Sequence, residues 1–300
     1  MTAADRIAPI DLRPVTKRRG SVEAEFRPWE GGRLSRLRFA GVDLVLPPDQ
    51  VPGFHGDTFW PSPQSLFDWP PPRALDADPY QVLTDSEVEL AMRSEPDQES
   101  GLQVHKRFLL EEDALSIAFT VRNVRARPNP IAPWQVTRAP RSGLLVWCPG
   151  EPFTDEDRLV KQREDPGCWY VHARGPTFFP GLTSLAGHSA IAAADVPRTC
   201  KLFTDARGWL AHVHEGVVFL REFPDVAVGQ LAPRQGELEL FFSPVRDYLE
   251  LENQGAYEEL APGGLLRYAV RWRFATIDPE LRTDRLTPQL VEVITRLRAA

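Results

Sequence analysis

Apolar and polar residues alternate with a period of two along much of this chain. The clearest runs lie at 21–28, 32–41, 86–94, 102–110, 114–123, 208–223 and 236–244. Because successive side chains of a β-strand point to opposite faces of the sheet, this alternation predicts strands that pack one face on a core. Turn signals separate the runs at 30–32, 214–216 and 261–264. The pattern predicts an all-β protein, a large antiparallel β-sandwich that forms one domain over residues 1–300.

One segment has the period of an α-helix and lies near the end of the chain, over 287–299. Thr287 is a suitable cap and Pro288 suits the first helical position. The apolar residues of the segment recur at helical spacing, at Leu290, Val291, Ile294 and Leu297. We therefore expect a C-terminal helix that packs on the outside of the sandwich.

Residues 48–79 follow neither period and are rich in Pro, Trp and Phe, as in FWPSPQSLFDWPPP. An irregular segment of this length either covers a cleft or is disordered. Disordered segments contain few aromatic residues, so the composition argues against disorder here. The sequence predicts an aromatic, proline-rich loop that covers a cleft.

Charge and cysteine content exclude several classes of protein. The formal net charge is −7, and no basic cluster appears beyond a short turn at 16–20, so we expect no nucleic-acid partner. No apolar run is long enough to cross a bilayer, and residues 1–20 lack the apolar core of a secretory signal. Cys148, Cys168 and Cys200 are widely spaced, which favours reduced thiols. We therefore predict a cytoplasmic protein without a membrane partner.

Residues 248–254 place leucines between polar side chains. Leu249 and Leu251 would share one face of a strand. The other face would carry Tyr248, Glu250, Glu252 and Gln254. If the leucines face the core, the polar row faces water or a cleft. A solvated face is the ordinary interpretation of such a row, but a partly buried carboxylate in a cleft can act as a general base.

Three segments together resemble the galactose-mutarotase-like (aldose 1-epimerase) superfamily. The pattern Leu-Glu-x-Gln at 251–254, followed by Leu-x-Pro-Gly at 260–263 and a last strand with an aromatic end, is similar to its C-terminal signature. Residues 31–46 resemble its opening hairpin, and 101–123 resemble a central hairpin that ends in an Asn. The resemblance implies a β-supersandwich fold, Glu252 as catalytic base, and Asn123 and Gln254 in the substrate site.

The chain departs from that superfamily at the general acid, which is a His soon after the Asn. Here Asn123 is followed by VRARPNPIAPWQVT, and the corresponding strand offers Trp134 and Gln135. An earlier His-Gly-Gly motif survives in part at 55–57, which makes His55 the candidate acid. The loop with Trp-Pro-x-Pro and the Ala-Pro-Trp motif indicate a divergent branch.

Other histidines offer weaker candidates. His105 and His172 lie in predicted strands and are alternative acids. His212 and His214 have the spacing of two metal ligands on one strand face, but no third or fourth ligand is evident. We interpret these two histidines as structural and predict no metal site. Opening a cyclic sugar needs a base and an acid, so we also predict no cofactor.

The predicted partner is a small-molecule carbohydrate. Sugar rings present C–H faces that stack on aromatic side chains, so Trp60 and Trp134 are candidate binding residues, with Gln135 and Gln254 for the hydroxyls. Trp69 is interpreted as a packing residue. Three arginines are further candidates for hydroxyls or a phosphate, namely Arg38, Arg107 and Arg138.

These residues allow three functions. The first is a mutarotase-like or epimerase-like enzyme that acts on a sugar or sugar derivative, with Glu252 as general base. The alternative is a non-catalytic carbohydrate-binding protein that has lost the general acid. A glycoside hydrolase or lyase would need a second carboxylate or a Tyr near Glu252, for which Asp57 and Tyr248 are candidates.

Overall fold

The computed structural model describes residues 12–67, 69–150, 169–172, 179 and 181–300, with only the backbone described for 169–172. The strands of the first half are β1 Val15–Arg19, β2 Val22–Arg27, β3 Arg33–Phe39, β4 Val42–Val45, β5 Asp57–Ser62, β6 Gln81–Asp85, β7 Glu89–Arg93, β8 Leu102–Leu110, β9 Ala114–Asn123, β10 Asn129–Pro140 and β11 Leu144–Trp147. Those of the second half are β12 Trp169–His172, β13 Leu182–Leu185, β14 His188–Ala192, β15 Cys200–Thr204, β16 Trp209–His214, β17 Val217–Glu222, β18 Leu238–Ser243, β19 Tyr248–Gln254, β20 Glu258–Leu260 and β21 Leu265–Thr276.

The strands form two sheets, which we call the front and the back sheet. The front sheet has 11 strands in the order β1-β2-β3-β5-β10-β19-β18-β15-β12, with β4 beside β3 and β20 beside β10. The back sheet has 10 strands in the order β13-β14-β11-β16-β17-β21-β9-β8-β7-β6. Pairing is antiparallel, except for β12 with β15. The predicted all-β antiparallel sandwich is thereby confirmed.

The main apolar core lies between the two sheets. From the front sheet, Phe59 and Leu251 enter it, and from the back sheet Phe119 and Trp272 do so. The rings of Phe59 and Phe119 are 5.1 Å apart between centroids, which brings the sheets into direct contact. The alternating strands, such as β2 and β8, give every second side chain to this core, which is the cause of the alternation in the sequence. The outward side chains are thus available for a site.

Two α-helices accompany the sheets, α1 Arg73–Asp76 and α2 Pro288–Ala299. The cap of α2 is Thr287, whose Oγ1 accepts a hydrogen bond from the Leu290 N–H at 3.2 Å. Leu290 and Ile294 are buried in a second apolar cluster with Val218 of β17. Since the neighbouring Phe219 points into the main core, α2 covers the outer face of the back sheet. The predicted C-terminal helix is confirmed.

The prediction of an irregular loop over 48–79 is wrong for β5, which lies inside the front sheet between β3 and β10. Every side chain of β5 is buried, so no alternation marks it. Pro61 also argued against a strand, because proline removes a donor from the sheet. In the structure Pro61 lies opposite Pro133 in the register of β5 and β10. The two residues that lack an N–H therefore face each other.

Within the described part of the chain, no helix has the length and apolarity that a membrane span requires.

Candidate functional site

Strand β19 separates core from cleft as its sequence predicted. Leu249 and Leu251 are buried in the core between the sheets. Tyr248, Glu250 and Glu252 point to the outer face of the front sheet. A cleft of about 470 Å³ opens on this face and is lined by Tyr248 and Glu250 among others. The polar row of β19 thus faces a cleft rather than open solvent, and the side chain of Glu250 is only 12% exposed.

The floor of this cleft comes from strands that are distant in sequence and adjacent in the front sheet. Lys201 of β15, Glu239 of β18 and Trp134 of β10 line it together with the residues of β19. The walls come from loops around the sheet. They include Phe54, Pro63, Gln64, Ser65 and Trp69 from the segments before and after β5, and Pro233, Arg234, Gln235 and Arg246 from the segments before and after β18. The cleft is therefore assembled by strand order in the front sheet.

Glu252 lies beneath the floor and is completely buried, with 0% exposure. Its Oε2 accepts a hydrogen bond of 2.8 Å from Trp134 Nε1 and another of 2.8 Å from Lys201 Nζ. Its Oε1 has no hydrogen-bond partner among the described residues. Trp134 reaches Glu252 because it lies opposite Gln254, one diagonal step along the same face. The carboxylate is thus enclosed by side chains of the floor.

Lys201 joins two carboxylates in this floor. Its Nζ lies 2.6 Å from Glu239 Oε2 and 2.8 Å from Glu252 Oε2. Glu239 and Glu252 are register partners in β18 and β19, so their side chains meet on one face. Burial raises the pKa of both carboxyl groups, against the lowering effect of Lys201. Burial also opposes the charge of Lys201, but the two carboxylates outweigh it and hold its pKa above the usual value.

A second ion pair, Arg138 with Glu250, lies beside the cluster of Lys201, Glu239 and Glu252. Arg138 Nε donates to Glu250 Oε1 at 2.9 Å, and the Arg138 side chain is buried. Its guanidinium carbon lies 5.0 Å from the centroid of the Trp60 ring. Trp60 Nε1 in turn donates to Asp76 Oδ1 at 2.8 Å. Burial opposes the charge of Arg138, but Glu250 raises its pKa above the ordinary value. The cation stays charged beneath the cleft.

Three tryptophans form an edge-to-face cluster at one side of the cleft. Trp60 meets Trp134 at 5.1 Å and Trp69 at 5.6 Å between ring centroids, both at interplanar angles of 85°. Lys201 Nζ lies 4.9 Å from the Trp134 ring centroid, and Arg138 covers Trp60. Trp69 is 57% exposed at the rim. Trp69 therefore packs against Trp60, as predicted, and also offers the open aromatic face of this cluster.

Gln254 extends the floor by hydrogen bonds. Its Oε1 accepts from Ser62 Oγ at 2.5 Å, and its Nε2 donates to Glu239 Oε1 at 2.7 Å. The side chain is fully buried. Gln254 thus connects β5, β18 and β19 below the surface of the cleft.

A family model matches residues 62–275 and is described as a domain of unknown function, DUF4380. The matched residues make up well over half of the chain. The chain belongs to the DUF4380 family. The DUF4380 match begins at Ser62 in β5 and contains the floor residues Trp134, Lys201, Glu239 and Glu252. The cleft floor is therefore part of the family's domain.

Solved structures with the same fold are named for mutarotases and epimerases. A galactose mutarotase-like protein of Lactobacillus casei is 13% identical, covers 88% of this chain and 100% of its own, and has a TM-score of 0.59. A galactose mutarotase-like protein of Clostridium acetobutylicum is 11% identical, with coverage of 88% and 95% and a TM-score of 0.55. The GalM/aldose epimerase homologue of C. elegans is 12% identical, with coverage of 89% and 99% and a TM-score of 0.54.

These likenesses confirm that this DUF4380 protein has the galactose-mutarotase-like fold that the sequence resemblance implied. In sequence, no curated protein matches the chain. The comparisons therefore support the fold, and the chemistry has to be inferred from the residues of the cleft.

Two predicted binding residues of this DUF4380 chain point away from the cleft, which corrects their predicted placement. Gln135 follows Trp134 in β10 and so faces the core, where its Nε2 donates to Asp57 Oδ2 at 3.0 Å. Asn123 ends β9 in the back sheet and donates to the carbonyl oxygen of Leu260 at 2.9 Å. Gln135 thus stabilises the core, and Asn123 holds the backbone at Leu260. Asp57, the candidate second carboxylate, likewise belongs to the core face.

His55 is also absent from the cleft lining. Its Nε2 lies 3.6 Å from Glu30 Oε2, and Arg33 Nη1 donates to its carbonyl oxygen at 3.0 Å. Burial lowers the pKa of His55, against the raising effect of Glu30. The predicted acid therefore belongs to a cluster with Glu30 and Arg33, outside the cleft lining. Within the described residues, no histidine lines the cleft.

The other candidates also lie elsewhere. His105 alternates with buried residues of β8 in the back sheet and is partly exposed. The side chain of His172 lies outside the described residues. His212 Nε2 is 2.7 Å from the carbonyl oxygen of Ser142, and His214 Nδ1 is 3.0 Å from Ser142 Oγ. Burial lowers the pKa of His212 to about 3, so its ring is neutral.

Of the three predicted arginines, one contacts the site and two do not. Arg38 is 3.4 Å from Asp43 and Arg107 is 2.9 Å from Glu89, and neither arginine lines the cleft. Arg138 contacts the site through Glu250, as described above.

One cluster outside the cleft has the donor set of a cation site. The carboxylates of Asp205, Asp225 and Glu237 lie within 4.8 Å of one another. Glu237, however, accepts backbone hydrogen bonds at both oxygens, from Val226 N at 2.9 Å and from Ala206 N at 2.8 Å. Its carboxylate is thus used to tie two loops to β18.

Sequence reasoning missed Lys201 and Glu239. Glu239 lies in a run whose alternation was recognised, and its outward position follows from that pattern. Lys201 lies in β15, where every residue is buried and no alternation is visible. Its proximity to Glu252 depends on the order β15-β18-β19, which the sequence does not display.

Proposed function

We propose that the cleft binds a carbohydrate and that Glu252 stabilises the cleft floor without acting as a general base. The observation that carries this proposal is the burial of Glu252, whose Oε2 is bonded to Trp134 Nε1 and Lys201 Nζ. A general base must come within hydrogen-bond reach of the proton that it removes. Glu252 is covered by Lys201 and Trp134 and does not line the cleft.

The lining of the cleft supports a sugar as the ligand. Trp69 offers an exposed ring for the C–H face of a pyranose, while Glu250 and Gln235 offer acceptors and donors for hydroxyls. A cleft of about 470 Å³ lies within the range of small-molecule sites. Proteins of the same fold carry the names galactose mutarotase-like and aldose epimerase homologue, which agrees with this ligand class.

A second candidate is an epimerase that uses Glu252 as base and Lys201 as acid. Two observations favour it: burial raises the pKa of Glu252, and its Oε1 has no hydrogen-bond partner within the described residues. In this reaction a carboxylate takes the proton of the anomeric hydroxyl, and an acid protonates the ring oxygen. It requires the floor to open so that the sugar reaches Glu252. A cytoplasmic location, a single domain over 1–300 and independence of any cofactor remain part of both proposals.

Thermal unfolding in the presence of neutral monosaccharides and disaccharides, sugar phosphates and uronic acids tests the proposal. A ligand at about 100 times its Kd stabilises by about 2.7 kcal/mol, which is easily measured. We expect stabilisation by at least one sugar, and its loss in Trp69→Ala. Trp29→Ala is the matched control, because Trp29 is a partly buried tryptophan that is absent from the cleft lining. Equal sugar binding by Trp69→Ala and the wild type would contradict the proposed ligand position.

A further inference from the structure

The charges around the cleft do not balance. Lys201, Arg138, Arg234 and Arg246 bring four cations to the cleft and the layer directly beneath it, and three carboxylates face them, those of Glu239, Glu250 and Glu252. The excess is one positive charge when all three carboxylates are ionised. This positive excess is larger when Glu239 or Glu252 is protonated, which burial favours. The whole chain has a net charge of −7, so this excess is a local feature of the cleft.

The excess belongs to two arginines at opposite ends of β18: Arg234 precedes the strand and Arg246 follows it. Lys201 contacts Glu239 and Glu252, and Arg138 contacts Glu250, so these charges are matched by neighbours. Arg234 and Arg246 line the cleft and form no ion pair within the described residues. Both are exposed, which leaves their guanidinium groups accessible to a ligand.

Arg246 is supported by an aromatic stack. Its guanidinium carbon lies 4.1 Å from the centroid of the Phe54 ring. Phe54 stacks in turn on Tyr248 of β19, with centroids 6.3 Å apart and an interplanar angle of 18°. A guanidinium on an aromatic face keeps its N–H groups directed outward in its own plane. Arg246 is thereby held at the mouth of the cleft with its donors available.

Arg234 is supported by a turn that is tied to the cleft floor. The residue has a φ of 62°, a left-handed conformation that fixes the direction of the turn. The carbonyl oxygen of Arg234 accepts a hydrogen bond of 2.9 Å from Gln235 Nε2. Gln235 Oε1 accepts one of 3.1 Å from Gln254 Nε2 in β19. The position of Arg234 is thus coupled to the same strand that carries Glu250 and Glu252.

We propose that the ligand of this cleft is a sugar with an anionic oxyacid group, a carboxylate or a phosphate, that binds Arg246. This inference rests on the proposed function and adds the chemical class of the sugar. The planar guanidinium fork matches the oxygen spacing of both groups.

Calorimetric titration with matched sugars tests this inference. Glucuronate and galacturonate supply the carboxylate, glucose 6-phosphate and galactose 6-phosphate supply the phosphate, and glucose and galactose are the neutral parents. One arginine contact of this kind favours the charged sugar over its neutral parent by about 3-fold in affinity. We expect this preference to decrease as salt is raised from about 0.01 M to 0.15 M, because screening weakens exposed charges. The stronger of the two charged series identifies the group.

Arg246→Gln is expected to lower the affinity for the charged sugar about 3-fold and to leave the neutral parent unchanged, whereas Arg234→Gln, at the other end of β18, is expected to have a smaller effect. Arg267→Gln is the matched control, because Arg267 is an exposed arginine of β21 in the back sheet, remote from the cleft lining. Equal affinity for charged and neutral sugars, or a preference that survives Arg246→Gln, overturns this inference and leaves the proposed carbohydrate site intact. Absence of binding by all six sugars overturns both.

Discussion

Replacing Lys201 by methionine removes the ammonium that lies between Glu239 and Glu252 and keeps nearly the same side-chain volume. Both carboxylates are fully buried, so the variant leaves two like charges without their shared cation. Removing one partner of a buried ion pair costs about 3–5 kcal/mol in unfolding free energy. We expect a loss in this range at pH 8, measured by urea unfolding.

The loss in Lys201→Met should depend on pH. Without the ammonium, the pKa of Glu239 and Glu252 in the folded state rises further above that of the unfolded chain. The folded state then binds more protons than the unfolded state, so stability increases as pH falls from 8 to 5. The difference from the wild type should therefore be smaller at pH 5 than at pH 8.

Two further variants distinguish this mechanism from simple loss of packing. Lys201→Met combined with Glu239→Gln should be more stable than Lys201→Met alone, because one buried charge is removed. Lys17→Met is the control: Lys17 contacts Asp85, which is half exposed, and an ion pair with such a partner contributes about 1 kcal/mol or less. A loss below about 1 kcal/mol in Lys201→Met, or a loss that is the same at pH 5 and pH 8, would refute the reasoning.

Three other changes give predictions about the fold. Burial lowers the pKa of Lys106 to about 7, so between pH 7 and 10 the folded state binds fewer protons than the unfolded state. Over this range the stability of the wild type should rise by up to about 3 kcal/mol relative to that of Lys106→Met. Parallel pH profiles of the two proteins in urea unfolding would contradict this. Thr287→Ala removes the cap of α2 and should cost about 1 kcal/mol, measured by thermal unfolding, whereas Thr295→Ala, at an exposed position of the same helix, should cost less. Gly31→Ala places a methyl group against the Asp76 carbonyl oxygen at a φ of 64° and should cost at least about 2 kcal/mol, so an unchanged melting temperature would be inconsistent with this close contact.

The sequence predicted those parts of the site that depend on one strand. In β19 the alternation of Leu249 and Leu251 with Glu250 and Glu252 placed the glutamates on the side that carries the cleft. The same rule excludes Trp134 and its neighbour Gln135 from sharing a face, although both had been assigned to the site. Position within a strand was therefore readable from local sequence.

Parts of the site that depend on strand order could not be predicted. Lys201 meets Glu252 because β15, β18 and β19 are consecutive in the front sheet, and β15 is buried on both faces. β5 was hidden for a related reason, since its side chains are all buried and Pro61 argues against a strand. Long-range pairing leaves no period in the sequence, so these contacts required the structure.

The central claim is that the cleft binds a sugar and that Glu252 is not a catalytic base. Magnetisation-exchange NMR on the sugar that stabilises the protein tests both statements in one set of spectra. We predict broadened sugar resonances in the presence of the protein and exchange between the anomers at the rate of buffer alone. Unbroadened resonances, or faster exchange that is lost in Glu252→Gln, would contradict the account.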